Sequence, residues 1–259
     1  MLVDSHVNLH GERFADDLAD VLARAEDAGV GAMLAICDKL SSVSEIEGIV
    51  RGQRTMWRSV GVHPHHADEH EGLTADDLVS LAEPEDVVGI GECGLDYHYE
   101  YSDRAAQKPV FRAHIEAARR TGLPLIVHTR EADEDMAAIL EEEHARGAFP
   151  ILLHCYTSGQ ALAETGLRLG AYVSFSGILT FKNADAVRAV AETVPMDRVL
   201  IETDCPFLAP VPHRGRRCEP AHVALVAEKL AEVKGVSVAE IAAATTDNFF
   251  ALFGRARRP

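Results

Sequence analysis

Val87-Val88-Gly89-Ile90-Gly91-Glu92-Cys93-Gly94-Leu95-Asp96-Tyr97 is the stretch whose reading decides the fold. An apolar, β-branched run leads into a single carboxylate, Glu92, held between glycines. Gly89, Gly91 and Gly94 also satisfy the dinucleotide-binding spacing G-x-G-x-x-G. That motif needs a helix to open at the last glycines, so that its amides receive a pyrophosphate. Here the next helical pattern lies beyond Ser102, and Glu92 would put negative charge where the phosphates belong. The stretch therefore reads as a strand over 87–92 that ends on a metal-binding or acid/base carboxylate.

Working outward, the same strand-then-helix alternation runs through the chain. Strands are predicted over 2–6, 31–37, 56–62, 87–92, 124–128, 150–154, 171–176 and 198–203. Helical spacing of apolar residues follows them over 14–28, 41–51, 74–82, from beyond 102 to about 121, and over 131–146, 159–169, 184–193 and 220–234. Pro109 either marks the first turn of the fourth helix or kinks it. The Glu141-Glu142-Glu143 run reads as a solvated helix face. Ser237-x-x-Glu240 is a capping box for one more helix ending near Phe253. Near-continuous apolar strands imply a parallel sheet covered by helices. Eight units favour a single α/β domain over 1–259: a TIM-type (β/α)8 barrel with an extra C-terminal helix.

Composition narrows the class. The 259 residues are 47% hydrophobic and carry a net charge of −16. That charge disfavours non-specific adhesion to nucleic acid or anionic membrane, although bound divalent metal and a local basic patch can reverse the field at one site. There is no long apolar run and no basic, apolar leader, so neither a membrane span nor a secretory signal is expected. Five cysteines without a C-x-x-C pair fit reduced thiols of a cytoplasmic protein. Cys93, Cys155 and Cys205 each directly follow a proposed ligand and read as small buried residues. No obligate protein partner is evident, and a monomer is expected.

Metal-competent residues recur at one kind of position. His6, Glu92, His128 and His154 end strands, and His63 and Asp204 directly follow them. In a barrel these ends converge on one face, which carries the active site. Imidazole with carboxylate suits zinc, manganese or iron, and magnesium less directly. With five or more donors, two divalent ions are expected. Asn8 shares a strand face with His6 and stands where a second imidazole would complete an H-x-H pair. Its neutral amide would be a weak ligand, and His10 could fold back to substitute. After the last strand, Arg214, Arg216 and Arg217 supply phosphate-competent guanidinium groups, and Arg130 is a further one. Arg255, Arg257 and Arg258 read as a frayed, solvated tail.

These motifs together resemble the TatD family of metal-dependent deoxyribonucleases, within the amidohydrolase-like metal-dependent hydrolases. The resemblance covers Asp4-Ser5-His6, Gly61-Val62-His63-Pro64-His65, Gly91 to Tyr97, and His128-Thr129-Arg130. It continues through His154 to Gly159, Glu202 to Pro210, and Arg214 to Pro220. It implies a two-metal barrel in which His6, Glu92 and Asp204 hold one ion, Glu92, His128 and His154 hold the other, and Glu92 bridges. It further implies exonuclease-like hydrolysis of DNA. The departure is Asn8, where the family usually has histidine, and it bears on how well the first site is filled.

The expected chemistry is metal-assisted phosphodiester hydrolysis, with Glu92 and Asp204 catalytic and Asp204 orienting or deprotonating the attacking water. Arg130, Arg214, Arg216 and Arg217 would hold phosphate oxygens, with His63 and Glu202 at the edge of the site as substrate or further metal contacts. Three alternatives stand beside this reading. They are an amide, ester or lactone hydrolase using the same metals, a nucleic-acid-binding protein whose catalysis Asn8 has weakened, and a barrel whose histidines are structural.

Overall fold

The computed structural model describes residues 1–99 and 101–259. Eight parallel strands lie in sequence order: β1 (Leu2–Val7), β2 (Val30–Ala35), β3 (Met56–Val60), β4 (Val87–Asp96), β5 (Leu125–Arg130), β6 (Ile151–Leu153), β7 (Tyr172–Phe175) and β8 (Val199–Ile201). The edge strands meet through a parallel bridge between Val7 and Cys205. Backbone bonds from Asp204 N–H to the His6 carbonyl and from Asn8 N–H to the Cys205 carbonyl extend that seam. The expected barrel is therefore present, closed through the residues just past β8.

Helices α1 (Leu18–Asp27), α2 (Val43–Val50), α3 (Ala75–Leu81), α4 (Arg104–Thr121), α5 (Asp133–Arg146), α6 (Gln160–Arg168), α7 (Asp185–Thr193) and α8 (Val223–Lys234) follow the strands in turn. The last, α9 (Val238–Leu252), opens on the expected Ser237/Glu240 capping box. No helix of the described residues is long and apolar enough to cross a membrane.

Side chains alternate between two apolar layers. Met33, Leu125, Val127, Ile151, Leu153, Val199 and Ile201 pack outward under the helices. Leu34, Ile126, Leu152 and Leu200 fill the barrel interior, together with Phe249, Leu252 and Phe253 at the end of α9. The extra helix thus plugs the end where the strands begin. Asn248 donates to the Val199 carbonyl there, and Arg255 donates to the Ala82 and Val87 carbonyls. Arg255 is accordingly a clamp on the barrel floor and not part of a frayed tail. Arg258 pairs with Asp247 at the surface.

Several local expectations are corrected. Pro109 lies inside α4, which starts at Arg104, so it does not mark the first turn. In the Glu141–Glu143 run only the first two residues face solvent. Glu143 is 4% exposed and receives Arg112, Arg119 and Arg146, because its place on α5 points at the neighbouring α4. The helix expected over 220–234 begins as a 3-10 turn, Pro220–His222, before α8.

The largest difference is β4, which runs to Asp96 and not to Glu92. Its pairing slips between Ile90 and Cys93, a bulge that sets Glu92 mid-strand and facing inward. The glycines make this bulge sterically possible. A Cβ on Gly94, whose φ is +140°, would lie 2.0 Å from the His128 carbonyl oxygen. A Cβ on Gly61 would lie 2.5 Å from the Gly91 backbone. The glycine spacing that mimics a dinucleotide loop is a record of strands approaching closely around a carboxylate.

Gly94→Ala therefore destabilises the fold by about 3 kcal/mol, the range of forced backbone strain plus displacement of a neighbouring strand. Urea unfolding with the parent alongside checks this, and an unchanged midpoint would contradict it.

Candidate metal centre

Period-two geometry delivers most of the site. Two residues beyond Ile126, Leu152 and Leu200, which face the barrel axis, the strands present His128, His154 and Glu202 on the same side. His6 from β1 and Glu92 from the β4 bulge join them. His63 comes from the turn after β3. That turn is held by His114 of α4, which accepts the Val62 N–H on Nε2 at 2.9 Å and donates from Nδ1 to the Val110 carbonyl at 2.7 Å. The two bonds define the ring as neutral.

Glu92 sits at the middle of four imidazoles. One oxygen, Oε1, lies 2.7 Å from His154 Nε2, 3.1 Å from His128 Nδ1 and 3.4 Å from His63 Nε2. The other, Oε2, lies 3.3 Å from His6 Nε2. The His6 and His154 rings stack at 4.1 Å, and His6 Nε2 is 3.6 Å from Asp204 Oδ1. Donor atoms of His6, Glu92 and His154 converge in one group, and those of His63, Glu92 and His128 in a second. Glu92 belongs to both, as the resemblance implies. In these groups His154 stands with His6 and His63 with His128, while Glu92 Oε1 also draws His128 and His154 together, the pairing that the resemblance implies. Sequence position alone cannot show this, because β6 lies far from β1 in order and close to it only across a closed barrel.

Carboxylates support the imidazoles from behind. Glu202, fully buried, lies 3.2 Å from His154 Nδ1 and accepts the Ser174 hydroxyl. Glu202, expected at the edge of the site as a substrate or further metal contact, lies buried behind the His154 ring and orients it. Asp96, 1% exposed, lies 3.1 Å from His128 Nε2 and 2.8 Å from His65 Nε2. Asp96 and His65 were quoted in the motifs but given no role. Asp96 was concealed because β4 was read as ending four residues earlier. Asp4, also buried, receives the His6 N–H and both the N–H and hydroxyl of Thr203, so it ties β1 to the segment after β8.

The electrostatics follow from these contacts. Burial opposes charge on Glu92, but the facing His154, His63 and His6 rings reverse it and hold the carboxyl well below its usual range. Burial pushes the Asp204 carboxyl up to about 6, against the pull of His6 and His154. Burial disfavours charge on His154 as well, yet Glu92 and Glu202 carry it well above an ordinary imidazole. For His63 burial wins, and its ring is held well below. The pocket therefore carries a field that favours positive charge at its centre. Neither ring nitrogen of buried His6 has a hydrogen-bond partner among the described residues. An unsatisfied imidazole aimed between two carboxylates is what a metal ligand looks like before its ion is counted, and the nitrogen and oxygen donors suit zinc, manganese or iron.

The remaining expected residues are placed as follows. Asn8 Nδ2 approaches Asp204 Oδ1 at 3.4 Å, so its amide lies beside the carboxylate at the mouth of the site. His10 does not fold back to the centre but pairs with Asp38 at 3.0 Å. Arg130 lies over the Tyr99 ring, and lines a cleft of about 710 Å³ with Tyr97, Arg104 and Ser158. Arg214 lies over Phe181 and, with Arg216, is exposed. Arg217 is corrected: its guanidinium is taken up by Asp17 and Glu219, which fasten the last loop to α1. Cys93 and Cys205 are buried, and burial raises the thiols of Cys93, Cys155 and Cys205 well above their usual range.

Comparison with known proteins agrees with this geometry. Residues 3–254 match the family described as TatD related DNase. The chain belongs to the TatD family. It is 44% identical, over 97% of its length and 95% of the relative's, to the uncharacterized metal-dependent hydrolase YcfH of Escherichia coli. It is 33% identical over 98% of its length, and 99% of the relative's, to the 3'-5' ssDNA/RNA exonuclease TatD of Shigella flexneri. The crystal structure of the TatD homolog YJJV from Escherichia coli superposes with a TM-score of 0.90 at 25% identity, covering 98% of each chain. The protein is thus a metal-dependent hydrolase of this family.

Two expected outcomes test the supports of the site. Asp96→Asn removes the charged partner of His128, and such partners change metal affinity or activity by about 10- to 100-fold; a metal titration against a competing chelator checks it. The second concerns pH. Burial holds His114 down to about 4, whereas a free imidazole titrates near 6.5. As pH falls the unfolded chain takes up the proton first, so stability present above 6.5 is lost progressively down to about pH 4, by roughly 3 kcal/mol. In His114→Gln that stretch of the stability profile becomes shallower. A slope equal to the parent's would show that His114 does not generate it.

Proposed function

We propose that the protein hydrolyses phosphodiester bonds at the end of a single-stranded nucleic acid, with DNA as the leading substrate. The observation that carries this reading is Glu92, a buried carboxylate shared by two imidazole groups at the barrel mouth, with Arg130 and Arg104 lining the adjoining cleft. The name of the 33% identical Shigella relative supports the choice of substrate.

His6, Glu92 and His154, with Asp204 beside them, would hold one divalent ion; His63, Glu92 and His128 would hold a second. Such ions would supply Lewis acidity and a water of lowered pKa. The chain's own groups do the rest. Asp204, partly exposed beside His6 and Asn8, orients the attacking water and accepts its proton. Asn8 donates toward Asp204 and limits its swing. Glu202 and Asp96 keep His154 and His128 turned toward Glu92. Arg130 and the exposed Arg214 and Arg216 receive phosphate oxygens, the task for which guanidinium geometry is suited. The net charge of −16 supplies no general attraction for a polyanion, so binding concentrates at the mouth.

The test is digestion of end-labelled single-stranded DNA with magnesium, manganese or zinc. A chelator should abolish it, and the added ion should restore it. Glu92→Gln should reduce kcat on the order of 10³-fold, since both donor groups lose their shared charge. If that variant digests DNA as fast as the parent, the assignment is wrong. If the parent cleaves acyl substrates and leaves DNA intact, the protein is an amide, ester or lactone hydrolase built on the same centre.

A further inference from the structure

The loop leaving β4 carries a feature that the hydrolytic centre does not use. The Tyr99 and Tyr101 rings stack at 5.3 Å with 10° between their planes, and both are exposed, Tyr101 to 68%. Among the described residues, the exposed tyrosine and phenylalanine side chains are Tyr99, Tyr101 and Phe207. All three follow the C-terminal ends of strands, on the face of the metal centre. An isolated exposed apolar residue needs no explanation. A parallel pair of rings beside a polar centre is different, because it leaves a flat π-face uncovered where a substrate must pass.

The pair is held in place from below. Asp96 Oδ1 accepts the Tyr99 N–H at 2.9 Å, while the other oxygen of the same carboxylate serves His128 and His65. His65 meets Tyr99 and Tyr101 edge-on, at 5.4 and 4.9 Å. Arg130 lies 4.7 Å over Tyr99. One buried carboxylate thus orients an imidazole of the centre and the backbone of the aromatic pair together. Tyr101 carries the greater exposed area, so its outer face is the open end of the stack.

We propose that Tyr99 and Tyr101 form a stacking subsite for an unpaired nucleobase of the strand whose phosphate enters the metal centre. This rests on the phosphodiesterase reading above. Three observations favour a base as occupant. Every base has a π-face, so stacking is tolerant of sequence. The chain carries a net charge of −16 and offers a polyanion no general attraction, so affinity for a strand must come from local contacts. Arg130 and Arg104 flank the loop and offer positive charge to the phosphates on either side of a stacked base. Within a duplex the base faces are covered by their neighbours, so the subsite selects single strands and frayed ends.

The experiment compares two fluorescein-labelled probes, a short thymidine strand and a strand of the same length made of abasic sites. Binding is read by anisotropy with the full chain, and cleavage separately as KM and kcat. The parent should bind the thymidine strand about tenfold or more tightly than the abasic one. The double variant Tyr99→Ala/Tyr101→Ala should erase that preference and raise KM while kcat is retained. Tyr99→Phe/Tyr101→Phe should keep the preference, because the ring faces remain. A double alanine variant that still prefers the thymidine strand as the parent does would overturn the subsite and leave the hydrolytic reading standing. A parent that binds the thymidine strand through these rings but never cuts it would support the subsite and overturn the hydrolytic reading. A parent that binds neither probe overturns both.

Discussion

Everything at the barrel mouth depends on the charge of one carboxylate. Glu92 is buried and meets His6, His63, His128 and His154, each within 3.4 Å of one of its oxygens. An isolated carboxylate at such depth would protonate, because charge is poorly solvated in a low-dielectric interior. Here the surrounding imidazoles reverse that tendency. Asp204 rises in the same neighbourhood, while His154 is drawn strongly toward its charged form. The site is a set of buried carboxylates whose charge is balanced by the imidazoles around them, and a cation at its centre would take over that balance. A divalent cation does so better than scattered protons, because it serves both groups of donors through their shared member.

The barrel exists to hold that arrangement rigidly. Interior alternation carries His128 and His154 up from the core at the ends of β5 and β6, so each imidazole stands directly above packed apolar side chains. Stability and chemistry occupy opposite ends. The last turn of α9, with Phe253 and Arg255, closes the end where strands begin, while the loops after the strands build the site. The seam between β1 and the segment after β8 is part of both tasks. Asp4 bonds to Thr203, and the Asp204 N–H bonds to the His6 carbonyl, so closing the barrel also brings Asp204 to His6.

Family membership accounts for the metal-dependent hydrolase, and the local details of this chain give it an individual character. Asn8 stands at the mouth and directs its amide toward Asp204. Arg217, offered by its loop to a phosphate, is drawn back by Asp17 and Glu219 into a structural clamp. On the proposed reading, what remains for a substrate is a mixed surface of Arg104, Arg130, the exposed Arg214 and Arg216 and exposed aromatic rings on an otherwise acidic protein. Such a surface discriminates by contact geometry more than by long-range attraction.

Eight strands, their order and the inward-facing histidines were legible in the sequence, because apolar runs and period-two alternation are local properties of the chain. His6, Glu92, His128, His154 and Asp204 stood out for the same reason: each interrupts or ends an apolar run. The helical register concealed Glu143, because two of its three arginine partners, Arg112 and Arg119, lie on α4 and are invisible in a run of three glutamates. The β4 bulge concealed Asp96, since pairing with β5 keeps the strand going after Glu92 has already turned inward. How the imidazoles are shared around Glu92, and the demotion of Arg217 to a clamp, depended on which distant elements touch once the barrel closes. The sequence by itself determined the scaffold and the residue types of the site. Only the tertiary structure decided which nitrogen faces which oxygen, because that is set by contacts between residues on different strands, tens of positions apart in the chain.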